Sequence, residues 1–204
     1  FSLIAILLGL YLVAKVGLPV LWMGLFCFMV GYLYSFGPHP ISSLPLGELF
    51  SGFTMGFMIV LLSVYINSFQ AFDWNWITIG RIFLLALGDE LWISNLMLAN
   101  NLCDAQEDED NHRTTIIHFI GKKGGLIAFS VKNILAFLVI FLLPFLGIAP
   151  KTVWLTVIIV PFVYKQNKIL IGKQVKTETF ITGVKTLLVG SLTYLITYFL
   201  GILF

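Results

Sequence analysis

The chain has 204 residues, of which 59% are hydrophobic and only 11% are charged, and its mean hydropathy is +0.98. A soluble domain carries about 25% charged residues because its surface faces water, so this composition excludes both a soluble globular protein and a disordered one. The net charge of +2 excludes a strongly basic surface, and we expect no nucleic-acid partner. The sequence predicts an integral membrane protein whose surroundings are the lipid bilayer.

Seven apolar stretches follow one another along the chain. A membrane-spanning helix needs about 20 mostly apolar residues, and the predicted spans cover residues 1–14, 18–35, 46–69, 77–99, 124–146, 152–164 and 178–204. Pro161 in the short sixth span predicts a kink or tilt. Uniform apolarity favours a bundle of helices over a barrel, whose strands would alternate in polarity. We therefore expect an all-α membrane bundle that forms one domain over residues 1–204.

The loops between these spans differ in charge from one side of the membrane to the other. Loops 36–45, 100–123 and 165–177 fall on one side, and their basic residues are Arg113, Lys122, Lys123, Lys165, Lys168, Lys173 and Lys176. The other side has short connections with Lys15, Asp73, Arg81 and Lys151. Because an excess of Lys and Arg marks cytoplasmic loops, we expect the three larger loops to face the cytoplasm.

The most polar stretch directly follows the fourth span and holds five carboxylates from Asp104 to Asp110. Asn100, Asp104 and Asp108 are spaced i, i+4 and i+8, so they share one face if the helix continues. Oxygen ligands on one face suit a hard divalent cation such as Mg²⁺. The plain alternative is a solvated acidic loop.

Basic residues follow the acidic stretch and favour the metal-site interpretation. Arg113, Lys122 and Lys123 come next in the chain. A divalent cation bridges carboxylates to phosphate, while Arg or Lys binds the remaining phosphate oxygens. In a membrane protein, the two groups together predict a site for a lipid diphosphate.

A resemblance to the UbiA superfamily of intramembrane prenyltransferases rests on two segments. The second aspartate-rich motif of that family is similar to Asn100-x-x-x-Asp104-x-x-x-Asp108 followed by Arg113-Thr114-Thr115. The Tyr-x-x-Gly-Pro-x-Pro … Leu-Gly-Glu loop of 1,4-dihydroxy-2-naphthoate prenyltransferases is similar to Tyr34-Ser35-Phe36-Gly37-Pro38-His39-Pro40 with Leu44-Pro45-Leu46-Gly47-Glu48. The charge pattern of the loops places both segments on the same side of the membrane.

The resemblance implies a fold, a reaction and a set of site residues. The fold is a helical membrane bundle, and the reaction is the Mg²⁺-dependent transfer of a polyprenyl group from a polyprenyl diphosphate to 1,4-dihydroxy-2-naphthoate. A demethylmenaquinone is the product, which implies a bacterial cytoplasmic membrane. The implied catalytic residues are Asp104 and Asp108, the Mg²⁺ ligands are Asn100, Asp104 and Asp108, and the diphosphate-binding residues are Arg113, Lys122, His39 and Tyr34.

The chain departs from the family pattern in three respects. Family members have nine spans and two aspartate-rich motifs, so we expect the first two helices and the first motif to be absent from this chain. Arg113 stands where the family often has Lys, and it keeps a phosphate-binding cation. His112 stands where Gly is common, which affects the loop backbone because His adopts a positive φ less readily.

Asp89 and Glu90 lie near the middle of the fourth predicted span, and Lys132 and Lys185 lie inside the fifth and the seventh. Charges in a membrane cost about 2.5–3.5 kcal/mol each on insertion scales, so these should face the interior of the bundle. One interpretation is that Asp89 and Glu90 line the substrate cavity, and the other is that they form an internal ion pair with a lysine.

Two alternatives remain for the chain as a whole. One is a prenyltransferase that uses another acceptor, such as 4-hydroxybenzoate. The other belongs to a different class, a transporter in which the four intramembrane charges form an ion path.

Overall fold

The computed structural model describes residues 2–204, and the described chain is helical without a strand. Its seven long helices are α1 Ser2–Val16, α2 Leu18–Ser35, α3 Gly47–Ser68, α4 Trp76–Asp110, α5 Ile116–Leu142, α6 Lys151–Gly172 and α7 Ile181–Leu203. Helices α2 to α7 are long and apolar enough to cross a membrane, whereas α1 is a shorter apolar helix. The predicted all-α membrane bundle is confirmed, and residues 2–204 contain six full-length spans instead of the seven predicted. The first predicted span begins at Phe1, which lies outside the described residues.

Helix α4 is the central helix of the bundle and packs against α3, α5 and α7. It contributes to each of three buried apolar clusters: Ile82 to one with α2 and α3, Trp92 to one with α5, α6 and α7, and Leu98 to one with α5 and α6. The outer faces of the other helices carry large exposed apolar side chains, such as Ile134 and Leu195. These outer faces match a lipid environment, and the site described below is built on the central helix.

Helices α3 and α4 approach closely at two glycines. A Cβ on Gly56 would lie 2.8 Å from the Cα of Glu90, and a Cβ on Gly52 would lie 2.9 Å from the Glu90 carbonyl oxygen. Only glycine allows this backbone separation, since real Cβ atoms do not approach so near. The segment Phe53–Met58 of α3, next to this contact, is a π-helix.

The prediction of a loop over residues 100–123 is wrong, because α4 continues to Asp110 and α5 begins at Ile116. The stretch 100–110 contains no Gly or Pro, and two side-chain hydrogen bonds join successive turns: Asn100 to Asp104 at 2.9 Å and Gln106 to Asp110 at 3.3 Å. Gly121, with φ of 67°, interrupts the first turns of α5. The three acidic-motif residues therefore lie on a helix, as their spacing requires.

Helix α6 is also longer than predicted and changes character along its length. Its first part, Lys151–Ile159, is a 3-10 helix, and the second part, Val160–Gly172, is α-helical. Pro161 lies in the first turn of the α-helical part, where a missing N–H costs no hydrogen bond. The change from 3-10 to α-helix lies next to Pro161, and the predicted kink or tilt stays a prediction. The loop to α7 shortens to residues 173–180.

Three connecting segments meet at one end of the bundle. Thr114 N donates to Ser43 O at 2.9 Å, which joins the segments before α3 and α5, and Lys176 contacts the end of α4. At the opposite end, Arg81 donates to Gly147 O at 2.5 Å. The three larger loops therefore lie at one end of the bundle, and their orientation toward the cytoplasm stays a prediction.

Candidate functional site

The end of α4 is closed by a backbone motif that turns the chain back over the helix. His112 adopts a left-handed φ of 56°, its N–H donates to Glu109 O at 3.1 Å, and Arg113 N–H donates to Asp108 O at 2.8 Å. This pair of bonds defines a Schellman motif, in which Gly is the usual residue at the left-handed position. His112 adopts the positive φ that this position requires, and an effect of His in place of Gly on the loop backbone stays a prediction.

The Schellman motif places Arg113 between the two motif segments. Its Nη1 lies 2.8 Å from Asp108 Oδ1, and its Nη2 donates to Ser42 O at 2.9 Å. Asp108 is buried, with a side chain 4% exposed, while the Arg113 side chain is 35% exposed. The guanidinium has five N–H donors, so donors remain for a further anion at its open side.

A second contact joins the same two segments inside the protein. Glu48, from the Leu-Gly-Glu segment, accepts a hydrogen bond at 2.8 Å from the Nδ2 of Asn101, and both side chains are buried. Asn101 follows Asn100 directly on α4. Asn101 faces Glu48 at the start of α3, and Asn100 faces Lys176 of the α6–α7 connection. The two segments that carry the family resemblance are therefore one structural unit.

On the neighbouring face of α4, Asn100 and Asp104 share a cation. Lys176 Nζ contacts Asn100 Oδ1 and lies 2.5 Å from Asp104 Oδ2, and the Asp104 side chain is 13% exposed. Asn100 Nδ2 donates to the same Asp104 oxygen at 2.9 Å. The two oxygens thus converge on one position that holds a positive charge.

The oxygen atoms of this helix end fit a divalent cation. Asn100 Oδ1 and Asp104 Oδ2 already surround a single cationic group, and Asp108 Oδ2 is a buried oxygen with no hydrogen-bond partner in the part of the chain described. Carboxylate and amide oxygens are the ligands of hard divalent cations. Among residues 2–204, no three His, Cys, Asp or Glu side chains cluster closely enough to form a metal site by themselves. The assignment of Asn100, Asp104 and Asp108 as metal ligands stays a prediction.

The other predicted diphosphate-binding residues lie at the same end of the bundle with fewer contacts. Tyr34 lines a largely apolar cavity of about 350 Å³ between α2 and α3, and its hydroxyl lies 3.5 Å from where a Cβ on Gly47 would be. His39 is exposed in the segment before α3, and Lys122 is exposed near the start of α5. Neither of the two makes a side-chain hydrogen bond within residues 2–204.

Asp89 and Glu90 lie deeper, in the middle of α4. Each has a buried oxygen without a hydrogen-bond partner among the described residues, Oδ1 of Asp89 and Oε2 of Glu90. The predicted alternative of an ion pair with a lysine is wrong, since Lys132 donates instead to Ser94 Oγ at 2.7 Å. Lys185 is exposed in the second turn of α7, near the site end, and is therefore not a charge of the bundle interior. The role of the two carboxyl groups in a substrate cavity stays a prediction.

Sequence reasoning did not single out Lys176, Glu48 or Asn101 as site residues. Lys176 is 72 residues from Asp104, and its only signal was the basic character of its loop. Glu48 belongs to the Leu-Gly-Glu segment, and Asn101 directly follows Asn100 of the aspartate-rich motif. Their pairing was not visible, because 53 residues separate them.

Comparison with known proteins gives two matches. The model of the UbiA prenyltransferase family matches residues 1–189. The 1,4-dihydroxy-2-naphthoate octaprenyltransferase of Bacillus subtilis (strain 168) is 32% identical over 158 residues, which are 78% of this chain and 49% of that protein. The chain thus spans about half the length of this relative. No solved structure matches the chain. The chain belongs to the UbiA prenyltransferase family.

Proposed function

We propose that the protein transfers a polyprenyl group from an allylic polyprenyl diphosphate to 1,4-dihydroxy-2-naphthoate in a Mg²⁺-dependent reaction. The observation that carries the proposal is the joined pair of motif segments at one end of the bundle, held by Arg113 between Asp108 and Ser42 O. The identity of 32% with a 1,4-dihydroxy-2-naphthoate octaprenyltransferase supports this acceptor. The chain spans half of that relative, so the activity is proposed for the whole protein.

The residues of the site divide the work on the diphosphate. Asn100, Asp104 and Asp108 would hold Mg²⁺, which would supply positive charge for the leaving diphosphate. Arg113 presents its remaining donors to the diphosphate oxygens. Lys122, His39 and Tyr34 supply further donors from the surrounding segments. These contacts strengthen as negative charge grows on the leaving group, so they stabilise the transition state.

The chemistry balances in two steps. The bond between the allylic carbon and oxygen breaks, and diphosphate leaves with the electron pair. The ring carbon that carries the carboxylate then forms a new C–C bond to the prenyl chain and loses that carboxylate as CO₂. The electrons of the broken C–C bond return to the ring, which gives the quinol form of a demethylmenaquinone. The apolar helices around the site exclude water, which would otherwise capture the allylic cation.

The alternative among prenyltransferases is an enzyme that uses a different aromatic acceptor. The Gly-Pro-His-Pro segment and the similarity to the Bacillus subtilis enzyme favour the naphthoate over a 4-hydroxybenzoate-like ring. Membership of a prenyltransferase family favours the enzyme over a transporter. We place the protein in a bacterial cytoplasmic membrane with the site end facing the cytoplasm, because that end carries the basic loops.

The test uses the full-length gene product in detergent or vesicles. Labelled polyprenyl diphosphate is supplied with 1,4-dihydroxy-2-naphthoate or 4-hydroxybenzoate, with Mg²⁺ or with a chelator. We expect Mg²⁺-dependent transfer to the naphthoate and a loss of roughly 100-fold or more in Asp104→Asn, since one charge of the metal site is removed. Asp110→Asn is the matched control, because Asp110 is exposed on the same helix end and bonds only to Gln106.

Each outcome has a distinct meaning. Transfer to 4-hydroxybenzoate but not to the naphthoate would replace the acceptor and keep the mechanism. Equal loss of activity in both variants would argue against Asp104 as a metal ligand. Absence of transfer to either ring by a folded protein would contradict the proposed function.

A further inference from the structure

Lys176 holds a position that the proposed function assigns to a divalent cation. Its ammonium contacts Asn100 Oδ1 and Asp104 Oδ2, the two oxygens that converge at the end of α4. Asn100 Nδ2 donates to that same Asp104 oxygen, so the three groups form a closed triangle. The like charges of the acidic helix end are therefore neutralised in part by the chain itself.

The connection that carries Lys176 is folded so that the ammonium stays next to α4. Thr179 Oγ1 accepts a hydrogen bond from Val175 N at 2.9 Å and donates to Val175 O at 3.1 Å. The Lys176 ammonium lies 4.9 Å from the centre of the Phe180 ring. Because a ring face attracts a cation, the turn and the ring together fix the position of this lysine.

We propose that the Lys176 ammonium occupies the metal position between Asn100 and Asp104 in the substrate-free protein. There it keeps the two side-chain oxygens together, and a divalent cation displaces it when it binds. This inference rests on the proposed function, in which that pair binds the metal. A positive charge already at the position opposes the entry of a second one. Lys176 therefore lowers the affinity of the site for free metal.

The competition has a consequence for substrate binding. A divalent cation that arrives with a diphosphate brings negative charge and oxygen atoms with it, and these oxygens attract the displaced ammonium. The metal is then bound more tightly together with the diphosphate than alone. Lys176 thus couples occupation of the metal site to the presence of the anionic substrate.

The test measures metal binding without turnover. Mn²⁺ is titrated into the full-length protein in detergent, and free Mn²⁺ is followed by its paramagnetic resonance signal. We expect Lys176→Met to bind Mn²⁺ roughly fivefold or more tightly than the wild type. In water, one unit charge about 4 Å away changes the affinity for a second unit charge by roughly that factor, and Mn²⁺ carries two. Lys176→Arg keeps the charge and should bind as the wild type does.

Lys173→Met is the matched control. Lys173 lies in the same connection, but it pairs with Glu178 at 2.7 Å and both side chains are more than half exposed. Its removal should leave Mn²⁺ affinity unchanged. If Lys176→Met fails to fold, Lys176→Gln provides the same loss of charge while keeping a donor for the two oxygens.

Two results would overturn the inference, and they are distinguishable. Unchanged or weaker Mn²⁺ binding in folded Lys176→Met, together with weaker binding in Asp104→Asn, would reject the internal cation and leave the proposed function intact. Wild-type Mn²⁺ binding by Asp104→Asn would instead show that the end of α4 is not the metal site. The metal assignment of the proposed function would then fail as well.

Discussion

The carboxyl groups of α4 lie in two regions with opposite surroundings. At the end of the helix, Asp104 pairs with Lys176 and Asp108 pairs with Arg113, and both cations come from connecting segments. In the middle of the helix, Asp89 and Glu90 each keep a buried oxygen without a hydrogen-bond partner among the described residues. The same helix thus carries ion-paired carboxylates at its end, and at its centre it carries carboxyl groups with no ion pair among the described residues.

This difference in surroundings suits the end of α4 to the exchange of one cation for another, whereas the middle of α4 is a region of close helix packing. A carboxylate that is paired with an ammonium can take another cation in its place without being left as a bare buried charge. The backbone of Glu90, by contrast, fits against Gly52 and Gly56 at the α3–α4 contact. The proposed ligand site thus lies at the end of α4, whereas the backbone of Glu90 in the middle of α4 belongs to the close α3–α4 contact.

Removal of Arg113 should have the largest effect on stability. Arg113→Met leaves the Asp108 carboxylate buried and unpaired, and it also removes the bond to Ser42 O. Breaking a buried pair by removal of one partner costs about 3–5 kcal/mol, and we expect the low end because Arg113 is one-third exposed. Thermal and denaturant unfolding in detergent measure the loss.

The exposed Lys173–Glu178 pair supplies the control for Arg113. Lys173→Met should cost less than about 1 kcal/mol, since exposed pairs contribute little. Adding Asp108→Asn to Arg113→Met should restore part of the stability, because it removes the bare charge. Equal costs for Arg113→Met and Lys173→Met would contradict the assignment of Arg113 and Asp108 as a buried, stabilising pair.

The helices were predictable from the sequence, but the charge pairing was not. Apolarity over about 20 residues is a local property, so the bundle and most of its spans could be predicted. The end of α4 looked like a loop because its carboxylates repel one another when considered alone. Lys176, the partner of Asp104, is 72 residues away from it in the sequence. No spacing rule connects positions so far apart.

For Arg113, the motif predicts one role and the structure adds a second. Its place after the acidic stretch predicted a ligand for phosphate, and that role stays a prediction. The structure adds that the guanidinium also holds Asp108 and the segment before α3. This second role depends on the turn at His112, whose positive φ is a property of the folded backbone.

The α3–α4 contact offers a test of the packing region with an intermediate effect. Gly56→Ala would place a Cβ 2.8 Å from the Cα of Glu90, so the two helices must separate. Overpacking of this kind costs about 1–3 kcal/mol. Gly24→Ala in α2 is the control, since a Cβ there meets nothing within 4 Å, and it should be neutral or stabilising by up to about 1 kcal/mol. A neutral Gly56→Ala in unfolding measurements would reject the close packing.

The smallest expected effect concerns the turn that positions Arg113. His112 has a φ of 56°, a conformation that costs a non-glycine residue about 1 kcal/mol and glycine almost nothing. His112→Gly should therefore raise the free energy of unfolding by up to about 1 kcal/mol and keep the transfer activity, because the bonds from His112 N and Arg113 N are unaffected.

His118→Gly is the matched control, since His118 lies within the first turns of α5, where glycine lowers stability by about 1 kcal/mol. Destabilisation by both substitutions would mean that the His112 side chain, and not the backbone turn, sustains the paired end of α4.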